Sequence, residues 1–185
     1  YGALNQTTTG ANNAAGGYFA LAYNTTGASN TAWGVQALQA NTTASNNTAV
    51  GFQAGYSVTT NGGNTSMGYQ ALYSNTSGTK GAAFGVQALY SNTTGSYNVA
   101  VGQESLFSNT TASYNTAVGY QAGYTNSTGA NNLFAGYIAG KLNTTGSRNT
   151  FVGGTNSSVY GAGYSNTTGS DNTALGGGAL ALNST

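Results

Sequence analysis

The feature that most constrains this chain is a 17-residue repeat that keeps its register over most of the sequence. Lines such as TAWGVQALQANTTASNN (31–47), AAFGVQALYSNTTGSYN (82–98) and TAVGYQAGYTNSTGANN (116–132) share the consensus T-A-V-G-Y-Q-A-L-Y-S-N-T-T-G-S-x-N. We call position n of every repeat column n. A fixed period of this length is typical of stacked repeat architectures, in which each unit packs only on its neighbours.

The repeats form a single array over residues 1–185, which we expect to be part of a longer array. Six extra residues interrupt the register, and they fit best as an insertion at 154–159. The repeats start at residues 14, 31, 48, 65, 82, 99, 116, 133, 150 and 173.

Column 4 is glycine in every repeat that reaches it. A glycine fixed at one position indicates a positive φ or an approach too close for a Cβ atom. Column 3 is mostly large and apolar, and we therefore expect Trp33 and Met67 to be core residues. The predicted structural glycine ladder comprises Gly17, Gly34, Gly51, Gly68, Gly85, Gly102, Gly119, Gly136, Gly153 and Gly176.

Short β-strands fit the repeat better than a helix, because glycines, β-branched threonines and asparagine clusters all weaken a helix. We predict two strands per repeat, T-A-V and Y-Q-A-L-Y, separated by Gly and by an N-T-T-G-S-x-N turn. Stacking the repeats gives an all-β fold, a fibrous β-solenoid or parallel β-roll of about eleven coils. Both faces of the first strand are small or apolar, so we expect the second face to pack on another copy of the chain.

The composition argues against an enzyme. Charged residues make up 3% of the chain, and there is no His and no Cys. The only carboxylates, Glu104 and Asp171, lie far apart in sequence, whereas acid–base catalysis needs a tuned pair. We therefore predict no catalytic residue, no cofactor-binding residue and no metal ligand. Glu104 is interpreted as a solvated side chain, and Lys80 and Arg148 are placed in turns.

The same composition limits the possible partners. A net charge of +1 gives no electrostatic footprint for nucleic acid. No apolar run approaches the roughly 20 residues needed to cross a bilayer. The expected partners are copies of the chain itself, in a parallel homo-oligomer or an end-to-end filament, and a host surface or a carbohydrate.

Segments such as N-T-A-V-G-Y-Q-A (115–122) and N-V-A-V-G-Q-E-S (98–105) resemble the repeats of trimeric autotransporter adhesin heads. The pattern of that family is, loosely, Asn-Ser-hydrophobic-Ala-hydrophobic-Gly-x-x-Ser/Ala, and the resemblance covers nearly every repeat. It implies a left-handed parallel β-roll in a trimer, displayed on bacterial surfaces or, in related form, in phage fibres. The spacing of 17 residues is longer than is common in that family.

The polar triplet of columns 11–13 allows two interpretations. Asn and Thr side chains stabilise turns by bonding to their own backbone, and Asn-x-Thr is also an acceptor for N-linked glycans. Column 17 holds as many asparagines, but most of them do not complete an acceptor sequence, which indicates a structural role there. The candidate N-glycosylation residues of column 11 are Asn24, Asn41, Asn75, Asn92, Asn109, Asn126, Asn143, Asn166 and Asn183.

The sequence thus favours a structural subunit of an extracellular fibre or adhesin, on a cell surface or a virion, that self-associates and carries glycans on its Asn-Thr-Thr turns. The alternative is a solenoid that binds ice or carbohydrate. Columns 12 and 13 are Thr or Ser in every repeat, and a threonine ladder on a flat solenoid face is typical of several antifreeze proteins.

Overall fold

The computed structural model describes residues 2–154 and 160–184, so most of the predicted insertion at 154–159 lies outside the described residues. One ten-stranded sheet runs along the whole array, and consecutive strands pair in parallel. Each strand occupies columns 1–3, and within the described residues there is no helix. The strands are β1 (Ala14–Gly16), β2 (Thr31–Trp33), β3 (Thr48–Val50), β4 (Thr65–Met67), β5 (Ala82–Phe84), β6 (Val99–Val101), β7 (Thr116–Val118), β8 (Leu133–Ala135), β9 (Thr150–Val152) and β10 (Thr173–Leu175).

The strand register follows the repeat. Ala32 lies opposite Ala49, one 17-residue repeat further along, and the same offset holds for each pair from β1 to β9. The prediction of an all-β parallel β-solenoid with one turn per repeat is therefore confirmed. The count of eleven coils is wrong: eight turns of 17 residues separate β1 from β9, and one longer turn leads to β10. The prediction counted incomplete repeats at both ends, which do not close a turn from strand to strand.

The interior of the coil is narrow and is filled mainly by alanine and leucine. Columns 2, 7 and 8 point inward, as at Ala32, Ala37 and Leu38. Where column 2 becomes Phe134, column 8 becomes glycine, because a Cβ atom on Gly123 would lie 2.4 Å from the Phe134 ring. The phenylalanine rings thus occupy the space that a column 8 leucine fills in other coils, as expected for close packing.

Trp33 and Met67 are not core residues. Trp33 is 55% exposed and Met67 is 40% exposed. Column 2 occupies the inner side of the strand, so column 3 must point outward, because successive strand residues face opposite sides. In these two coils the interior is filled by the column 8 leucines, Leu38 and Leu72, so the inner position of the strand holds a small residue.

The predicted second strand, Y-Q-A-L-Y, is also wrong. Columns 5–10 form turns in which the φ angles of columns 6 and 8 are positive, as at Gln36 (59°) and Leu38 (50°). The amide of Gln36 donates to Tyr18 in the preceding coil, while the amide of Leu38 donates to Ala54 in the following coil. The segment is thus hydrogen-bonded to both neighbouring coils although it is not extended, and the positive φ values turn the chain back across the sheet.

The glycines of column 4 show both features that the sequence suggested, a positive φ and an approach too close for a Cβ atom. Gly102 has a φ of 131°, and a Cβ atom placed on it would lie 2.5 Å from the carbonyl oxygen of Gly119. The same kind of contact recurs along the column, so each column 4 glycine from Gly17 to Gly153 ends its strand against the backbone of the next coil.

Candidate functional site

The most unusual surface of the molecule is the outer side of the sheet. We call columns 1 and 3, together with column 5 at the start of the turn that follows each strand, the strand face. Column 1 is half-buried in most coils and is mostly Thr, whereas columns 3 and 5 are mostly large and exposed. The exposed large side chains on this face are Tyr18, Trp33, Val35, Phe52, Met67, Tyr69, Phe84, Val86, Val101, Val118, Tyr120, Tyr137, Tyr160 and Leu175.

Equivalent residues on the strand face stack above one another. Phe52 and Tyr69 have ring centroids 5.5 Å apart with nearly parallel planes, and Tyr120 and Tyr137 repeat the arrangement at 5.4 Å. The face is therefore an ordered array of apolar side chains with the period of one coil. Monomeric proteins rarely expose contiguous apolar patches larger than a few hundred Å², and larger ones mark interaction sites.

No charged residue lies on the strand face. Glu104 is in column 6, Lys141 is in column 9, and the other three charged residues share column 16. Two of those, Arg148 and Asp171, form an exposed ion pair with N–O distances of 2.6 and 2.8 Å between neighbouring coils. The hydrogen bonds from Arg148 lower the pKa of the Asp171 carboxyl, and the same contact raises the pKa of Arg148.

The asparagines of column 11 form a ladder inside the coil. Asn92 is 1% exposed, and its Nδ2 donates to Asn75 Oδ1 in the preceding coil and to the Gly95 carbonyl in its own coil, both at 2.9 Å. Asn109 then donates to Asn92 Oδ1 at 2.7 Å. The buried members are Asn24, Asn41, Asn75, Asn92, Asn109, Asn126, Asn143 and Asn166.

This burial favours the turn interpretation of the polar triplet over glycosylation. An N-linked glycan is attached at Nδ2, the atom that here donates both interior hydrogen bonds. A sugar at this atom would have to displace a bond of the ladder and occupy the interior, where the folded coil has no space for it. Asn183, in the last described coil, is half-buried and also takes part in an interaction.

The asparagines of column 17 form a second interior ladder. Asn115 donates from Nδ2 to the Gly129 carbonyl of the next coil at 2.9 Å, and its Oδ1 accepts the backbone amide of Asn132, also at 2.9 Å. The carbonyl of Gly129, in column 14, therefore accepts two side-chain amides, one from Asn115 and one from Asn126 of its own coil. Both ladders satisfy buried polar groups that a purely apolar interior would leave unpaired.

The two threonines of the triplet have different environments. The backbone carbonyl of Thr59, in column 12, accepts the amides of Thr42, Thr43 and Ala44 of the preceding coil at 3.0–3.3 Å. The Thr42 hydroxyl donates to the same oxygen at 3.1 Å. Column 13, in contrast, is exposed in each described coil, and forms a row of hydroxyl groups: Thr9, Thr26, Thr43, Thr60, Ser77, Thr94, Thr111, Thr128, Thr145 and Thr168.

Sequence reasoning missed a third ladder, made by the glutamines of column 6. Gln53 donates to Gln36 and Gln70 donates to Gln53, each at 2.8 Å. Glu104 stands in the same column and accepts from Gln121 at 2.6 Å. Glu104 is thus half-buried and hydrogen-bonded, not fully solvated as expected. The recurrence of Gln in column 6 was the available signal.

Comparisons with protein-family models, with curated proteins and with solved structures give no match for this chain. In residues 2–154 and 160–184, no group of three His, Cys, Asp or Glu residues could together hold a metal ion. The same part of the chain has no helix long and apolar enough to span a bilayer.

Proposed function

We propose that the chain is a structural segment of a fibre or adhesin, and that it assembles with further copies of itself through the strand face. The observation that carries this proposal is the row of exposed apolar side chains on the outer side of the sheet. The resemblance to adhesin head repeats supports an extracellular setting, on a cell surface or a virion. Glycans on column 11 are not part of the proposal, because those side chains are interior.

The size of the strand face suits a protein–protein contact. Ten strands about 4.8 Å apart extend the face over roughly 48 Å, and columns 1–5 span about 13 Å, which gives on the order of 600 Å². That area is near the upper end for a patch on a monomer and approaches the roughly 800 Å² per partner of a standard interface.

A second copy of the chain is the occupant that fits this face best. Another copy presents the same apolar columns at the same one-coil spacing, so the two arrays can interdigitate over their whole length. The absence of charge on the face removes like-charge repulsion between identical surfaces. Burial of Trp, Tyr and Phe side chains on both sides would supply the main driving force.

The test introduces two lysines into the strand face. We expect the wild-type chain to be oligomeric at micromolar concentration in analytical ultracentrifugation. Phe84→Lys with Val101→Lys places charges in adjacent coils on the strand face, and we expect association to weaken by about 100-fold or more, because buried like charges cost several kcal/mol.

The matched control places the same two charges in the same two coils on column 13, as Thr94→Lys with Thr111→Lys. This control should remain oligomeric, and both variants should keep the circular dichroism of the wild-type chain. Self-association through the strand face is refuted if the wild-type chain is monomeric at all concentrations or if the control dissociates equally.

Ice binding is a second candidate, favoured by the exposed hydroxyl row of column 13. One exposed hydroxyl per coil at the strand spacing of about 4.8 Å gives a regular polar array on a rigid surface. Under this alternative, the wild-type chain shows thermal hysteresis in nanolitre osmometry. The column 13 lysine variant loses it, while the strand-face variant retains it. A wild-type chain without hysteresis excludes this candidate.

A further inference from the structure

A pair of tyrosines in column 16 lies stacked between two consecutive coils at the surface. The ring centroids of Tyr97 and Tyr114 are 5.1 Å apart, and the ring planes are inclined by 6°. Tyr97 is 44% exposed and Tyr114 is 58% exposed. The backbone fixes this proximity, because both residues have a positive φ in equivalent turns and their coils are hydrogen-bonded to each other.

We propose that Tyr97 and Tyr114 are an oxidative cross-linking site, at which a one-electron oxidant of the peroxidase class joins the two rings as dityrosine. Each phenol loses one electron to the oxidant and one proton to water, which gives two phenoxyl radicals. The radicals couple through a bond between their Cε carbons, and each ring regains aromaticity by releasing that carbon's hydrogen as a proton that moves to the phenoxyl oxygen. The two electrons and two protons reduce one hydrogen peroxide to two water molecules.

Two features distinguish this pair from the other ring pairs: its greater exposure and its position outside the strand face. The column 9 stack of Tyr56, Tyr73, Tyr90, Phe107 and Tyr124 is only half-exposed, so its rings are less free to rotate. On the strand face, Tyr120 and Tyr137 are less exposed, at 38% and 40%, and Tyr160 meets only the half-buried Tyr164, with ring planes inclined by 39°. Tyr97 and Tyr114 lie in column 16, outside that face.

The pair is also isolated, which predicts a single product. On one side of the pair, the Lys80 ammonium group lies 5.1 Å from the Tyr97 ring centroid, and on the other side column 16 continues with Asn131. Each radical therefore has one tyrosine as its neighbour within the column. Rotations of exposed side chains take picoseconds to nanoseconds, so the two rings can reach the coupling geometry quickly after oxidation.

The experiment treats the full chain at high dilution with a heme peroxidase and hydrogen peroxide, and reads dityrosine by fluorescence and by peptide mapping with mass spectrometry. We expect one intramolecular cross-link between Tyr97 and Tyr114, with a mass loss of two hydrogen atoms and a yield independent of protein concentration. Tyr97→Phe and Tyr114→Phe retain a stacked ring but remove one phenol, and each should lose this cross-link.

The control variant is Tyr23→Phe. Tyr23 is 42% exposed and, within the described residues, stacks on no other ring, so its removal should leave the yield unchanged. Wild-type chain unfolded in urea should lose the preference for this pair. A cross-link that is only intermolecular, that joins other tyrosines, or that persists in Tyr97→Phe would overturn the proposal. Because the readout is intramolecular, it does not depend on self-association.

Discussion

Replacing Gly102 by alanine should destabilise the solenoid by about 4 kcal/mol or more, which is among the largest effects expected of a single methyl group. Two costs add. The φ of Gly102 is 131°, a backbone region that side-chain-bearing residues rarely adopt. The new Cβ atom would also lie 2.5 Å from the Gly119 oxygen and 2.7 Å from its carbonyl carbon, and these backbone atoms belong to the next coil.

Gly176→Ala separates the two costs. Gly176 has a φ of 100°, but a Cβ atom placed there meets nothing within 4 Å. Its replacement should therefore cost only the backbone strain, about 1–3 kcal/mol. Urea unfolding followed by circular dichroism measures both variants. Equal losses at the two positions would contradict the claim that the contact between coils is what requires glycine at Gly102.

The strand and glycine pattern could be predicted from the sequence because it depends on local rules that repeat in register. Column 4 carries glycine without exception, and three-residue strands follow from the short apolar run that precedes it. The second predicted strand failed for a physical reason: Gln36 and Leu38 adopt positive φ values that their intrinsic preferences disfavour. The hydrogen bonds to both neighbouring coils and the burial of leucine in column 8 outweigh that local preference.

The prediction that column 3 faces the core was wrong, because columns 2 and 3 are both apolar and polarity does not show which of them faces inward. The useful signal was variation in size among the repeats. Column 2 is almost always Ala, and where it becomes Phe134 or Phe151 a glycine in column 8 compensates. Column 3 ranges more widely, from Gly16 to Trp33; the Trp33 ring lies 2.2 Å from where a Cβ atom on Gly16 would be, yet Trp33 is still 55% exposed. A narrow range of side-chain sizes indicates the interior, and a wide range indicates the exterior.

The polar triplet could not be resolved from the sequence, because the same Asn-x-Thr letters satisfy a turn and a glycan acceptor. Burial decides between the two, and burial depends on which side of the coil columns 11, 14 and 17 face. These columns recur every third residue, a periodicity that belongs neither to a strand nor to a helix.

Replacing Asn92 by aspartate should destabilise the folded chain by about 3–5 kcal/mol at neutral pH, because it buries a carboxylate without a compensating cation. Asn92 Nδ2 makes two interior hydrogen bonds, to Asn75 Oδ1 and to the Gly95 carbonyl. A carboxylate at this position would place its negative charge beside both acceptor oxygens and repel them. Val58 already interrupts this ladder in the native sequence, and Asn41 Oδ1 is left buried without a hydrogen-bond partner.

The aspartate variant should also acquire a characteristic pH dependence. Burial beside two carbonyl oxygens raises the pKa of the new carboxyl in the folded state above its unfolded value of about 3.9. The folded state then binds more protons than the unfolded state between the two pKa values. The loss of stability should therefore be small below pH of about 4 and should grow as pH rises toward the folded-state pKa. Urea unfolding at a series of pH values measures this change.

Thr94→Ala is the control that separates the ladder from glycosylation. It destroys the same Asn-Thr-Thr acceptor sequence but removes only an exposed hydroxyl, so its stability should change by less than about 0.5 kcal/mol. If Asn92 carried a glycan in a glycosylating host, both variants would lack the mass of that glycan, and their stabilities would change by the same amount. If Asn92 is a rung of the interior ladder, only the aspartate variant loses stability, since the ladder depends on Nδ2 and not on the threonine two residues later.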